Sequence, residues 1–114
     1  MAIQRIVPDL TVTDLEQAVR EHTEILGLEV LMDMGWIAIL GDDAGHQLIL
    51  MTRDGSAPVN PDASVFVDDV EAAHEAAVAA GVEIVHPLTD EEWGVRRFFY
   101  RDHSGRVINA GTHV

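Results

Sequence analysis

The sequence predicts an α+β fold. Two βαβββ-type modules form a curved eight-stranded mixed sheet around a concave cavity, with helices on the convex side. Three observations predict it. The first is a weak repeat. Val12-Thr13-Asp14-Leu15-Glu16-Gln17-Ala18 precedes Gly27-Leu28-Glu29-Val30, and Val67-Asp68-Asp69-Val70-Glu71-Ala72-Ala73 precedes Gly81-Val82-Glu83-Ile84. The second is that each copy reads as strand end, capped helix, glycine stop and new strand. The third is the run of short apolar segments, separated by turn residues, that follows each copy. Two such units in 114 residues imply duplication and a pseudo-symmetric cavity where they meet. Function is expected there.

The elements follow in order. Residues 4–12 read as a strand, with Pro8 marking an edge or bulge. Thr13 or Asp14 caps a helix, with Glu16 placed for a capping box. That helix runs to Leu26, presents Leu15, Val19, His22, Ile25 and Leu26 near one face, and stops at Gly27. Residues 28–33 and 35–40 form strands around Met34, Gly41 to Gly45 turn, and 46–52 form another strand. Arg53 to Asp62 has no apolar periodicity, so the first module is placed at 1–54, a linker at 55–62 and the second module at 63–114. A strand at 63–67 leads into an Asp69-capped helix to Ala80, whose alanines let it lie close on a sheet. Strands follow at 82–85, 95–101 and 106–110, with a third strand or an irregular segment between His86 and Trp93. Asp102-His103-Ser104-Gly105 is a hairpin turn, with Gly105 supplying positive φ.

Composition excludes several function classes. Hydrophobic residues make up 47%, enough for a core. No apolar run is long enough to cross a membrane. No basic region followed by an apolar stretch opens the sequence, so no signal peptide is expected. The chain has no cysteine, which removes disulfides, thiolate zinc sites and thiol catalysis, and taken together these readings point to the cytoplasm. Twenty acids against seven bases give a net charge of −13, and all seven bases are arginine. Such a field repels nucleic acid and favours a cationic ligand. Arg96, Arg97, Arg101 and Arg106 nonetheless crowd into one stretch.

These residues resemble the vicinal oxygen chelate superfamily of glyoxalases, extradiol dioxygenases and bleomycin resistance proteins. The resemblance rests on Val12-Thr13-Asp14-Leu15-Glu16, Leu26-Gly27-Leu28 and Val67-Asp68-Asp69-Val70. Its most specific part is Trp93-Gly94-Val95-Arg96-Arg97-Phe98 through Arg101-Asp102-His103-Ser104-Gly105, similar to the tail of the antibiotic-binding branch. His103 and Ser104 replace the Pro and Asp usual in that turn. The resemblance implies a divalent metal held by four inward side chains. Those positions fall on Val7, Ile49, Asp62 and Asn109, and two of these have no ligand atom. No metal or other cofactor is therefore expected.

No other catalytic constellation is present. The six histidines show no metal-ligand spacing, and only His46, which opens an inner strand, is a candidate. Asp90-Glu91-Glu92 reads as a solvated loop, with a place on the rim of a cavity as the functional alternative. Aromatic residues are scarce, so Trp36, Trp93, Phe98 and Tyr100 are the candidate stacking surfaces. Arg96 could orient a ligand carboxylate, and Asp62 and Asn109 complete the set. The expected function is a non-catalytic binding protein that sequesters a small aromatic, and by charge cationic, natural product or antibiotic. The alternatives are a metal-dependent lyase, isomerase or dioxygenase of the glyoxalase type, and a ligand-sensing accessory protein. The expected partners are that small molecule and a second copy of the chain in a homodimer, with no nucleic acid and no membrane.

Overall fold

A computed structural model describes residues 1–114. The fold is α+β, with two helices and eight strands in a mixed sheet that does not close into a barrel. The chain divides into two compact units, Val7–Asn60 and Met1–Ile6 with Pro61–Val114. The division falls inside the first strand because the N-terminal residues bond to the second module. Ala2 N–H donates to Asp68 Oδ1 at 2.7 Å, and Asp68 N–H donates back to Ala2 O at 3.1 Å.

In the Val7–Asn60 unit, β1 (Ile3–Thr11) contributes its later half. It is followed by α1 (Leu15–Leu26), β2 (Glu29–Asp33), β3 (Ile37–Gly41) and β4 (Gln47–Met51). The strand order is β2-β3-β4-β1, with β4 parallel to β1 and the other pairs antiparallel. Asp14, not Thr13, caps α1. Its carboxylate accepts from Gln17 N–H at 3.1 Å, and Gly27 ends the helix at φ 70°. Leu15 and Ala18 are buried against Ala38, Leu40 and Leu50, with Val19 beside them. Ile25 and Leu26 are instead 74% and 62% exposed, so the apolar face of the last turn stays outside this core.

The stretch read as a linker is an ordered loop. Asn60 Nδ2–H donates to Thr52 O at 3.1 Å and to Thr11 Oγ1 at 3.0 Å, and Asp54 N–H donates to Asn60 Oδ1 at 2.8 Å. Side-chain amides and carboxylates thus satisfy backbone groups that no ladder reaches.

The other unit contains β5 (Ala63–Val67), α2 (Val70–Ala80), β6 (Glu83–Glu91), β7 (Val95–Arg101) and β8 (Val107–His113). Its order is β5-β8-β7-β6, with β5 parallel to β8. The module is therefore complete, βαβββ like the first. The segment left open between His86 and Trp93 is the continuation of β6, with register shifts on either side of His86. Bulges let the strand carry Pro87. Asp69 caps α2 through Ala72 N–H at 3.1 Å, and Gly81 stops it at φ 76°.

The alanines do not draw α2 down onto the strands. Only Val70 of the helix is buried. A cavity of about 450 Å³ opens between Ala73, Ala77 and Ala80 and the side chains of Ile3, Phe98 and Tyr100.

The two modules share one hairpin turn. Asp42 Oδ1 accepts from Ala44 N–H at 3.0 Å and His46 N–H at 2.9 Å, while Asp102 Oδ1 accepts from Ser104 N–H at 2.9 Å and Arg106 N–H at 3.0 Å. Gly45 and Gly105 close these turns at φ 87° and 88°. The same short carboxylate and the same glycine solve the same β3–β4 and β7–β8 reversal.

Candidate functional site

Strand register in the Pro61–Val114 unit builds a polar face opposite the one α2 covers. Alternation puts Asn109, Gly111 and His113 of β8 on one side. Asn109 lies opposite Ser64 on β5 and Phe99 on β7, and Phe99 lies opposite His86 on β6. The next row pairs Gly111 with Phe66 and Arg97, and the third pairs Val95 with His113 and Glu91. A Cβ on Gly111 would sit 3.3 Å from Arg97 Cβ, so glycine there leaves Arg97 its position.

Charge and aromatic surface interleave on this face. His86 Nε2 is 3.2 Å from Glu91 Oε1, and Glu91 Oε2 is 3.5 Å from Arg97 Nη2. All three side chains are buried. The Arg97 guanidinium lies 5.0 Å from the Trp93 ring centre and 4.8 Å from that of Phe99. Asn109 is 7% exposed. Its Nδ2–H donates to Ser64 Oγ at 3.0 Å, while its Oδ1 is buried with no hydrogen-bond partner.

A second group stands on the same face. Arg5, from the part of β1 that belongs to this unit, places its guanidinium 4.1 Å above the Phe66 ring. Its Nη2 donates to His113 Nε2 at 2.9 Å, and the His113 ring stacks on Phe66 at 4.7 Å and 10°. His113 must keep a lone pair at Nε2 to accept that bond. Desolvation first, and the Arg5 charge second, hold its pKa below the usual imidazole range.

The predicted site residues are dispersed. Asn109 and Trp93 belong to the polar face, Trp93 at its edge and 54% exposed. Phe98 and Tyr100 point the other way. Phe98 packs with Val67, Val70 and Ala110, and both aromatics line the cavity under α2. Arg96 shares their parity and is tied to Glu71 at 2.7 Å and Asp90 at 3.1 Å. Asp62 is a strand lock, with Oδ2 accepting from Val107 N–H at 2.8 Å. His46 is exposed and bonds Asp42 through Nδ1 at 2.8 Å. Trp36 lies in the Val7–Asn60 unit, in the turn between β2 and β3, where its carbonyl accepts from Thr52 N–H at 2.9 Å. The groups not anticipated are Arg97, Phe99, His86, Phe66, His113 and Arg5. Glu91 lies in β6 with a buried side chain, not in a solvated loop.

The residues do not fit a catalytic metal. Val7 and Ile49 are buried aliphatics. The Asp62 carboxylate is engaged by Val107 N–H, which leaves the neutral Asn109 Oδ1 a poor ligand on its own. No group of three or more His, Asp or Glu side chains gathers where an ion could be held.

Paired βαβββ modules, each with the same capped helix and the same hairpin turn, define a fold built from one repeated unit. The chain belongs to the glyoxalase/bleomycin resistance protein/dioxygenase superfamily, whose family model matches residues 2–109. No curated protein matches the chain.

Solved structures share the fold. A superfamily member from Vibrio splendidus 12B01 is 19% identical, with 97% of this chain and 99% of that one covered and a TM-score of 0.76. Methylmalonyl-CoA epimerase from Mycobacterium tuberculosis is 19% identical over 98% of this chain and 87% of that one, TM-score 0.71. A Legionella pneumophila protein described as NAD-dependent benzaldehyde dehydrogenase is 14% identical over 96% of this chain and all of that one, TM-score 0.79. At these identities the likeness is one of fold alone.

Proposed function

We propose that the chain is a non-catalytic binding protein that sequesters a small aromatic natural product or antibiotic, for resistance or self-protection. The observation that carries this reading is the Asn109 carbonyl, buried on a strand face without a donor. An unmet buried acceptor costs about 1–3 kcal/mol, which a ligand N–H or O–H recovers once the amide turns to meet it. Trp93 offers a half-exposed ring at the edge of the same face, steadied by Arg97. The apolar cavity under α2 has volume but no charged group to orient a ligand. The net charge of −13 attracts the cationic part of a ligand at long range, and the groups on the face then decide what is held, an anionic group included.

A homodimer in the cytoplasm completes the proposal. Ile25 and Leu26, adjacent at the end of α1, are 74% and 62% exposed, apolar surface that a second copy would cover. Absence of cysteine suits a reducing compartment, and no helix is long and apolar enough to cross a membrane. The test is a thermal-shift screen of aromatic natural products, with each hit recovered and weighed after incubation. Hits returned unchanged support sequestration. Turnover of a hit, or no hit in a broad library, contradicts it.

A further inference from the structure

Arg5 is a half-buried cation that none of the chain's own acids meets. Four of the seven arginines, Arg20, Arg96, Arg97 and Arg101, pair with carboxylates. Arg5 does not, in a chain with twenty acids. Its one hydrogen bond goes to the neutral His113 ring, its face rests on Phe66, and its Nε is buried without a partner. Desolvation with no compensating charge lowers its pKa from the usual guanidinium value. A guanidinium held by the Phe66 face and the His113 ring also loses little freedom on binding.

We propose that Arg5 is the anchor for a carboxylate carried by the ligand. A guanidinium is a planar fork whose unused N–H groups match the two oxygens of a carboxylate. One cation beside two flat rings suits a planar monoanion, whereas a phosphate dianion needs more positive charge than this face supplies and meets a stronger repulsion from the chain. The anchor deepens the sequestration reading and rests on this face taking a ligand. It adds a length requirement. Phe66, beneath Arg5, lies opposite Gly111, two residues along β8 from Asn109. At about 3.3 Å per residue, a ligand that fills both sites spans about 7 Å between its carboxylate and its N–H donor.

The experiment is an NMR titration of the full chain with sodium benzoate, benzamide and inorganic phosphate, read at the His113 ring. Benzoate should bind and raise the His113 pKa, because it offsets the Arg5 charge that helps to depress it. Arg5→Gln should weaken benzoate binding at least tenfold, and Arg5→Lys should keep part of it. If Arg5→Gln does not fold, the Arg5→Lys titration and the parent His113 shift decide. Benzamide binding as tightly as benzoate, phosphate displacing benzoate, or Arg5→Gln binding like the parent would each overturn the anchor. Benzoate held through Arg5 while no aromatic library member binds would leave the anchor standing and remove the sequestration reading.

Discussion

Gly105→Val tests the duplicated turn on which the second module closes. Gly105 sits at φ 88°, and an added Cβ would meet nothing within 4 Å. Crowding therefore adds nothing, and the cost is backbone strain alone. A non-glycine residue held in this region costs about 1–3 kcal/mol, with β-branched residues at the upper end. Losing glycine's freedom in the unfolded chain returns about 0.4–1 kcal/mol. The net expectation is a loss of about 1–2 kcal/mol, which lowers the melting temperature by roughly 4–8 °C for a domain of this size. Gly55→Ala is the control. Gly55 has an ordinary φ and open space at its Cβ, so it should be neutral or slightly stabilised. Urea unfolding followed by circular dichroism measures both. A Gly105→Val protein as stable as the parent would refute the turn and the strain argument together.

Other outcomes follow from the same geometry. His113 has a folded pKa depressed below its unfolded value near 6.5, so the unfolded chain binds more protons in that range. Its contribution is present above the unfolded pKa and is lost as pH falls through the folded one. Stability should therefore drop below about pH 6.5, less steeply in His113→Gln, and identical slopes would contradict the assignment. Elemental analysis after purification without chelator should find far less than one zinc, nickel, iron or manganese per chain, and near-stoichiometric metal would promote the glyoxalase-type enzyme. Light scattering should give twice the chain mass, and a monomer at micromolar concentration would remove the dimer.

The fold was legible because its signals are local. Asp14 and Asp69 cap helices through the backbone N–H three residues on, and Gly27 and Gly81 stop them in the left-handed region. Side-chain chemistry fixes these positions without help from tertiary structure. The shared Asp42 and Asp102 turns were visible singly but not as a pair, because only Asp and Gly repeat between them.

The site was less legible, for a reason of parity. Val95 to Arg101 carries a buried aromatic on each face in its middle, with Phe98 and Phe99 each 0% exposed, so alternation cannot say which side is which. Arg96 and Arg97 differ by one residue and by the whole thickness of the sheet. His86 and Glu91 were hidden by Pro87 and a run of acids that read as a loop, where two bulges carry a single strand. Arg5 joins its group from the start of β1, more than a hundred residues from His113, a contact with no sequence signal.

The central claim is that the Asn109 face holds a small molecule by hydrogen bonding to it. Calorimetric titration of the best aromatic hit against the parent and Asn109→Leu tests it most directly. Leu keeps the shape and removes the acceptor. The parent should show one site, and the variant a loss of about 1–3 kcal/mol, roughly five- to 160-fold in Kd. Trp93→Ala should weaken the same binding through lost stacking. Equal affinity for the parent and Asn109→Leu, with both folded, would place the ligand elsewhere and contradict the account.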